Sequence, residues 1–347
     1  MEATTRPQVG GEDFARLTEQ FRPELLAHCY RMLGSLHDAE DQVQETLLRA
    51  WRSQDTFEGR SSLRTWLHRI ATNVCLRAME NRDRRPLPSG LGAPGDDPAG
   101  PVDRPASEVT WLEPFPDALL RPESADPAAV TAARSGLRLA LVAALQQLPP
   151  RQRTVLILRD VLGWRAAEVA ALLGVSPVAV NSALQRAREQ LRRTVPAADE
   201  IREPGGQADR AVLDRYAAAI ENADVAELVE LLHEDATFEM PPLPTWFRGR
   251  DNITRFLAAR VLTSPGVFTL VPVAANGQPA FAVYRRAEDG VLRAYGLQVL
   301  TVGEAWVTAV VAFLTPGLFP AFGLPAELPA AVPAELPAAG WPAGAGE

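Results

Sequence analysis

The 347-residue chain contains no lysine; all 35 of its basic residues are arginines. Against 43 acidic residues they leave a formal net charge of −8 at pH 7. That balance argues against a free-standing protein that coats nucleic acid through bulk positive charge, so any such contact has to be local. Cysteine is nearly absent as well. Cys29 and Cys75 both stand in apolar helical contexts, which excludes a disulfide framework and fits a reduced cytosolic protein. His28, His37, His68 and His233 show no ligand spacing, so neither a metal site nor a cofactor is expected. There is no signal peptide and no apolar run of the roughly 18 residues that a membrane span needs. The expectation is a soluble cytoplasmic protein without membrane contact.

What the chain does have is a three-helix pattern over 149–193. Gly163 ends the first helix, and Trp164 to Leu173 forms the second. Gly174 supplies the left-handed residue just past that helix, where a side chain would clash. Ser176 is a good N-cap and Pro177 suits the first helical position. The third helix sets Val180, Leu184, Ala187 and Leu191 on one face. Asn181, Ser182, Gln185, Arg186, Arg188 and Arg192 are left on the others. A short helix, a tight turn and a second helix with hydrogen-bonding residues outside is a helix-turn-helix, whose second helix fits the major groove.

Residues 14–85 also read as helical, with different chemistry. Asp38 to Trp51 is amphipathic, with Ala39, Val43, Leu47 and Ala50 inward. Asp41, Gln44 and Glu45 lie off that stripe, beside Arg49, as an acidic and amide-bearing patch suited to a basic protein partner. A loop of small and polar residues around Phe57, Arg60, Ser61 and Ser62 leads into a helix carrying Trp66, Arg69, Asn73 and Arg77. From Arg60 to Arg85 there are seven arginines against two acids, Glu80 and Asp83. Such a surface suits phosphates, with aromatic faces to hold unstacked bases. Trp66 taken alone reads as core.

Together the two segments resemble the sigma-70 family of transcription initiation factors, in particular its small extracytoplasmic function group. Asp38-Ala39-Glu40-Asp41 with Gln44-Glu45-Thr46 is similar to the region 2 helix that docks on core RNA polymerase. The run from Phe57 to Asn73 resembles the part that opens and reads the −10 promoter element. Leu148-Pro149-Pro150-Arg151-Gln152-Arg153 and the helix-turn-helix resemble region 4, which reads the −35 element. The resemblance implies polymerase binding through Asp41, Gln44, Glu45 and Arg49. It implies −10 contacts from Phe57, Arg60, Ser61, Ser62, Trp66, Arg69, Asn73 and Arg77. Ser176, Asn181, Ser182, Gln185, Arg186, Arg188 and Arg192 fall to the −35 side, Arg188 and Arg192 towards phosphates. Core polymerase and promoter DNA are the implied partners, with an anti-sigma protein or a small-molecule ligand of the C-terminal domain as a further one. Ser182-Ala183 departs from the Ser-Arg pair that many members carry.

The expected layout is region 2 over 12–85, a flexible linker over 86–135 and region 4 over 136–194. A further domain over 207–315 and a Pro/Ala-rich tail over 316–347 follow. The linker holds Pro86, Pro88, Pro94, Pro98, Pro101 and Pro105 and too little apolar surface to offset the entropy of ordering it. Trp111-Leu112-Glu113-Pro114-Phe115-Pro116-Asp117 differs: Trp111 and Phe115 beside two acids read as a docking strip. It resembles a motif between regions 2 and 4 in a subgroup with an extra C-terminal domain.

From 209 the pattern becomes two helices, a strand at 236–240, a helix at 252–262 and four strands at 267–275, 279–286, 291–302 and 305–314. Asn276-Gly277 and Asp289-Gly290 are strong hairpin signals. This is an α+β layer fold with an antiparallel meander. Its order resembles the SnoaL-like cone fold, which implies an apolar pocket lined by Phe238, Met240, Trp246, Phe256, Tyr284, Tyr295 and Trp306. The fold class is therefore multidomain, two all-α sigma domains followed by an α+β cone. Some cone relatives are enzymes, and His233, Asp235 and Glu239 would be the candidate bases here. No paired signature stands out, and the domain is read as regulatory rather than catalytic. Two other readings stay open. One is a sigma-like regulator whose cone is an enzyme or ligand sensor; the other is a repressor-like regulator, which leaves the Asp38–Asn73 constellation unexplained.

Overall fold

The computed structural model describes residues 11–57, 61–80, 84–103, 108–120, 135–194, 207–303 and 305–329. Arg60, residues 204–206 and most of the tail lie outside the described residues. The chain divides into two compact units, Met1–Asp83 with Leu145–Leu191, and Arg84–Ala144 with Arg192–Glu347. Among the described residues no single helix is long and apolar enough to cross a membrane.

The first unit is all helical. Its centre is α2 (Arg22–Leu33), buried without interruption from Leu25 to Leu33 and closed by Gly34 at φ 70°. Around it lie α1 (Gly11–Glu19), α3 (Leu36–Arg52) and α4 (Leu63–Glu80). Ser35 caps α3 by accepting the Asp38 amide at 3.1 Å. The buried stripe of α3 runs Leu36, Ala39, Val43, Thr46, Ala50, so Thr46 takes the inward place expected for Leu47. Its hydroxyl is satisfied by the Gln42 carbonyl at 2.6 Å, which makes the exchange tolerable. Thr72 donates to the His68 carbonyl at 2.7 Å and lies 3.0 Å from His28 Nε2. With its one proton spent, Thr72 accepts from His28, and burial keeps that imidazole neutral, well below its usual pKa.

The first unit also holds the end of α5 (Leu139–Gln147), α6 (Pro150–Leu156) with a π turn at Ile157–Val161, α7 (Ala166–Leu173) and α8 (Pro177–Thr194) up to Leu191; α6 packs on α2 and α4. Arg153 is 4% exposed. It donates to the Met32 carbonyl of α2, to Gln146 Oε1 at 2.7 Å and to the Gln146 carbonyl at 2.9 Å. One buried guanidinium thus ties the start of the second helical segment to the first.

The second unit is built on a mixed sheet ordered β2-β1-β6-β5-β4-β3. Its strands are β1 (Leu232–Glu239), β2 (Trp246–Arg248), β3 (Phe268–Ala275), β4 (Gln278–Arg286), β5 (Leu292–Val302) and β6 (Val307–Phe313). The meander is antiparallel, but β1 pairs with β6 in parallel, a closure that no local signal announces. Helices α9 (Gln207–Glu221), α10 (Val225–Leu231) and α11 (Arg250–Arg260) cover one face. Tyr216, Phe238, Phe247, Phe256 and Phe281 fill the space beneath them.

One expectation is corrected here. Residues 84–103 are not an entropic spacer but lie along the cone. The Ser89 amide donates to Glu239 Oε2 at 2.8 Å, Trp246 Nε1 donates to the Gly92 carbonyl at 3.0 Å, and Asp103 accepts from Thr245 at 2.8 Å. Backbone groups that proline-rich chain leaves free are thereby paired, and Leu87 and Pro88 are buried. The tail starts as structure: Pro316–Phe322 forms a 3-10 turn that buries Leu318 and Phe319, and Glu327–Leu328 (β7) pairs with β5.

Candidate nucleic-acid interface

Trp66, Arg69, Asn73 and Arg77 recur at three- and four-residue intervals along α4, which sets them on one face. The three polar residues are exposed and Trp66 is half-buried. Its ring lies 5.1 Å from the half-buried Phe57 and 6.5 Å from the buried Phe14, so it stands at the edge of the core with one side towards solvent. Ser62 caps the helix by accepting the Thr65 amide at 3.1 Å. Ser61 lies just before it, partly exposed.

The second reading element has the expected geometry. The axes of α7 and α8 are bent 101° at the break between them, within the range of a DNA-binding helix-turn-helix. Gly174 sits at φ 65° and Ser176 Oγ accepts the Ala179 amide at 3.2 Å. Val180, Leu184 and Ala187 are buried, while Asn181, Gln185, Arg186 and Arg192 are exposed and Ser182 is partly so. Arg188 differs from the expectation of a phosphate contact. Its guanidinium grips Asp160 through Nε at 2.9 Å and Nη2 at 2.6 Å, bracing α8 against the π turn that follows α6.

On α3, Asp41 and Gln44 are exposed, and Glu45 pairs with Arg49 at 2.6 Å. Leu48 and Trp51, 41% and 51% exposed, continue the same outward face. Apolar side chains left in solvent beside an acidic patch are what a protein-binding surface presents.

The cone does not gather the side chains expected to line a pocket. Phe238, Met240 and Phe256 belong to the packed interior, and Tyr295 packs at its edge. Tyr284 faces the opposite side of the sheet, where its ring meets Phe319 at 5.1 Å and its hydroxyl donates to the Pro325 carbonyl. Trp246 is tied to Gly92, and Trp306 is 45% exposed, edge-on to His233. Alternation along β1 and β4 separates these rings to different faces. The candidate bases fare similarly. His233 Nδ1 accepts the Asp235 amide, and Asp235 pairs with Arg248 at 3.2 Å in solvent. Glu239 points away from the interior towards Ser89; burial raises its pKa, against the pull of the Ser89 hydrogen bonds.

Family models place sigma-70 region 2 on residues 17–85, sigma-70 region 4 on 138–191 and a SnoaL-like domain on 213–315. The chain is 54% identical over 319 residues to the ECF RNA polymerase sigma factor SigG of Mycobacterium tuberculosis, covering 91% of this chain and 85% of that one. It belongs to the extracytoplasmic function sigma factors. SigJ of the same organism is 31% identical over 72% of this chain and 74% of its own. The crystal structure of SigJ covers 90% of this chain and all of its own, with a TM-score of 0.57 and 25% identity. The fold class is that of this family: helical sigma domains followed by a SnoaL-like α+β domain. As a sigma factor, the chain directs RNA polymerase to promoters to initiate transcription.

Sequence reasoning missed four residues that matter in this sigma factor. Arg153 was seen only within a motif, because nothing local says that an arginine will be buried. Asp160 gave no sign that it would hold Arg188. Leu48 and Trp51 were legible as apolar residues off the inward stripe, a signal that was available.

Proposed function

We propose that this sigma factor reads promoters through two faces and docks on polymerase through a third. The −10 face is Phe57, Ser61, Ser62, Trp66, Arg69, Asn73 and Arg77, with Arg60 beside it in sequence. The −35 face is Asn181, Ser182, Gln185 and Arg186 on α8, with Ser176 and Arg192 near the backbone. The polymerase face is Asp41, Gln44, Glu45 and Arg49, extended by Leu48 and Trp51. The observation that carries the reading is the single-face alignment of Trp66, Arg69, Asn73 and Arg77, an aromatic followed by hydrogen-bonding and cationic groups. An aromatic face receives an unstacked base while guanidinium groups follow the phosphates. No covalent chemistry is assigned to the chain, and the cone serves as a non-catalytic modulator that acts through residues 85–117.

Run-off transcription with core polymerase on a genomic promoter pool tests this. Asp41→Ala with Gln44→Ala should weaken polymerase binding without unfolding the protein. Arg186→Ala should spare polymerase binding and impair −35-dependent initiation by about 1–3 kcal/mol, the worth of a bidentate base contact. Tight, sequence-specific DNA binding by the free chain, with no recruitment of polymerase, would overturn the assignment.

A further inference from the structure

Within the first unit a cleft of about 530 Å³ opens between α3 and α4 on one side and α6 and α7 on the other. Arg49, Arg77 and Arg151 line it, with Glu80 as the one carboxylate among its lining residues. Arg77 and Arg151 are exposed and have no ion-pair or hydrogen-bond partner among the described residues, and Arg49 gives only its Nε to Glu45. Asn73 adds an amide, while Ile70, Leu76, Leu172 and Leu173 supply apolar wall.

Unspent guanidinium groups converging on one space, with aliphatic surface beside them, match a phosphate attached to an organic body. Arginine's planar fork fits phosphate oxygens bidentately. The volume lies within the range of small-molecule sites and holds one nucleotide-sized molecule, far less than a duplex. We propose that this cleft binds a nucleoside di- or triphosphate, its phosphates between Arg77 and Arg151 and its base against Leu172 and Leu173.

The ligand has a consequence through linkage. Its walls come from region 2 and from region 4, so it binds only while the two are packed together. The −10 and −35 elements are about 25 base pairs apart, or about 85 Å at 3.4 Å each, so promoter binding requires the regions to part. A ligand that selects the packed state therefore opposes initiation. This consequence rests on the promoter-reading assignment; the binding itself does not.

Binding is tested on the full chain with ADP, inorganic pyrophosphate and adenosine, by calorimetry and by the shift in melting midpoint. ADP should bind, pyrophosphate about tenfold more weakly, and adenosine alone should give no shift; losing one charge-assisted contact in Arg151→Gln should weaken ADP by about tenfold or more. Arg151 is outside both DNA-reading faces, so at a fixed concentration of nucleotide substrates that variant should initiate at least as well as wild type, and added ADP should inhibit it less. Arg151→Lys, which keeps charge but loses the fork, should fall between. Absence of ADP binding, or equal binding by wild type and Arg151→Gln, overturns the site. Equal affinity for ADP and pyrophosphate overturns the base-binding half. Binding that leaves transcription unaltered overturns the inhibitory role while leaving the site in place.

Discussion

Asn276 and Phe115 hold each other through two hydrogen bonds: the Asn276 amide donates to the Phe115 carbonyl, and the Phe115 amide donates to Asn276 Oδ1, each at 2.8 Å. Asn276 Nδ2 adds a bond to the Leu137 carbonyl at 2.7 Å, and the Gly277 amide donates to Asp117 Oδ1 at 2.8 Å. A hairpin turn at the sheet edge thereby grips two separate stretches of the connection between regions 2 and 4. Asparagine serves both purposes here, since its φ of 58° belongs to the turn and its amide reaches the connection.

Asn276→Gly keeps the backbone conformation and removes both side-chain bonds. The buried Phe115 amide and Leu137 carbonyl lose partners, at about 1–3 kcal/mol for each group that water does not reach. Amide exchange over residues 112–117 should quicken by at least tenfold while exchange in α2 stays as in wild type. Unchanged protection at 112–117 would mean that apolar burial of Phe115 alone holds the strip.

Glu239 gives the attachment of the connection a pH dependence. Its folded-state pKa is raised, chiefly by burial, so the folded protein binds that proton more tightly than the unfolded chain does. Its stabilising contribution is full below the unfolded value and is lost as pH rises through the folded one. Glu239→Gln keeps an acceptor for the Ser89 amide without the charge. In calorimetry the variant should lose part of the fall in stability between about pH 4 and pH 7, and should melt no lower than wild type at neutral pH. An identical slope in both proteins would locate the dependence in other groups.

Asp160 restrains Arg188, and releasing it should change how the recognition helix meets DNA. Asp160→Ala should cost no more than about 1 kcal/mol of stability, the ordinary worth of an exposed pair. It should also free one cation for a phosphate, steepening the salt dependence of −35 DNA binding by about one unit of slope. Fluorescence anisotropy across a salt series measures this. A slope equal to that of wild type would show that Arg188 does not reach the backbone.

The sigma regions were readable because local chemistry and final position coincide in them. Gly174, Ser176 and Pro177 each set a backbone geometry that no distant residue alters, and Val180, Leu184 and Ala187 share one face in any helix. The cone was readable in element order for the same reason, hairpin turns included. Its assembly was not: the parallel pairing of β1 with β6 depends on strands some 70 residues apart, shown by Phe238 opposite Val310. The connection was misjudged because composition counts apolar area within a segment. Residues 84–103 and 108–117 are held by what lies outside them, namely Glu239, Trp246 and Asn276. The pocket was misjudged because six aromatic positions and Met240 were grouped by type rather than by face; Tyr284 and Phe281 stand on opposite sides of one strand.

If the cone modulates the sigma module through the connection, cutting either end of that link should have the same effect. Phe115 is fully buried and Trp111 is half-buried, its carbonyl accepting from Arg85 Nη1 at 3.0 Å. Trp111→Ala with Phe115→Ala removes the strip's apolar anchor, a loss of about 3–5 kcal/mol for the fully buried Phe115 ring and less for half-buried Trp111, enough to detach a segment held by few other bonds. Deleting residues 205–347 removes Asn276 and Gly277, which hold Phe115, Asp117 and Leu137. Transcription from one cognate promoter should shift markedly in the same direction for both variants, once circular dichroism has shown the helical content of each intact. Asp235→Asn and Glu239→Gln should leave output near wild type, because Asp235 stands in solvent against Arg248 and Glu239 faces Ser89. Wild-type output from both the truncation and the double variant, with loss of function from either amide, would replace the modulating cone with a catalytic one.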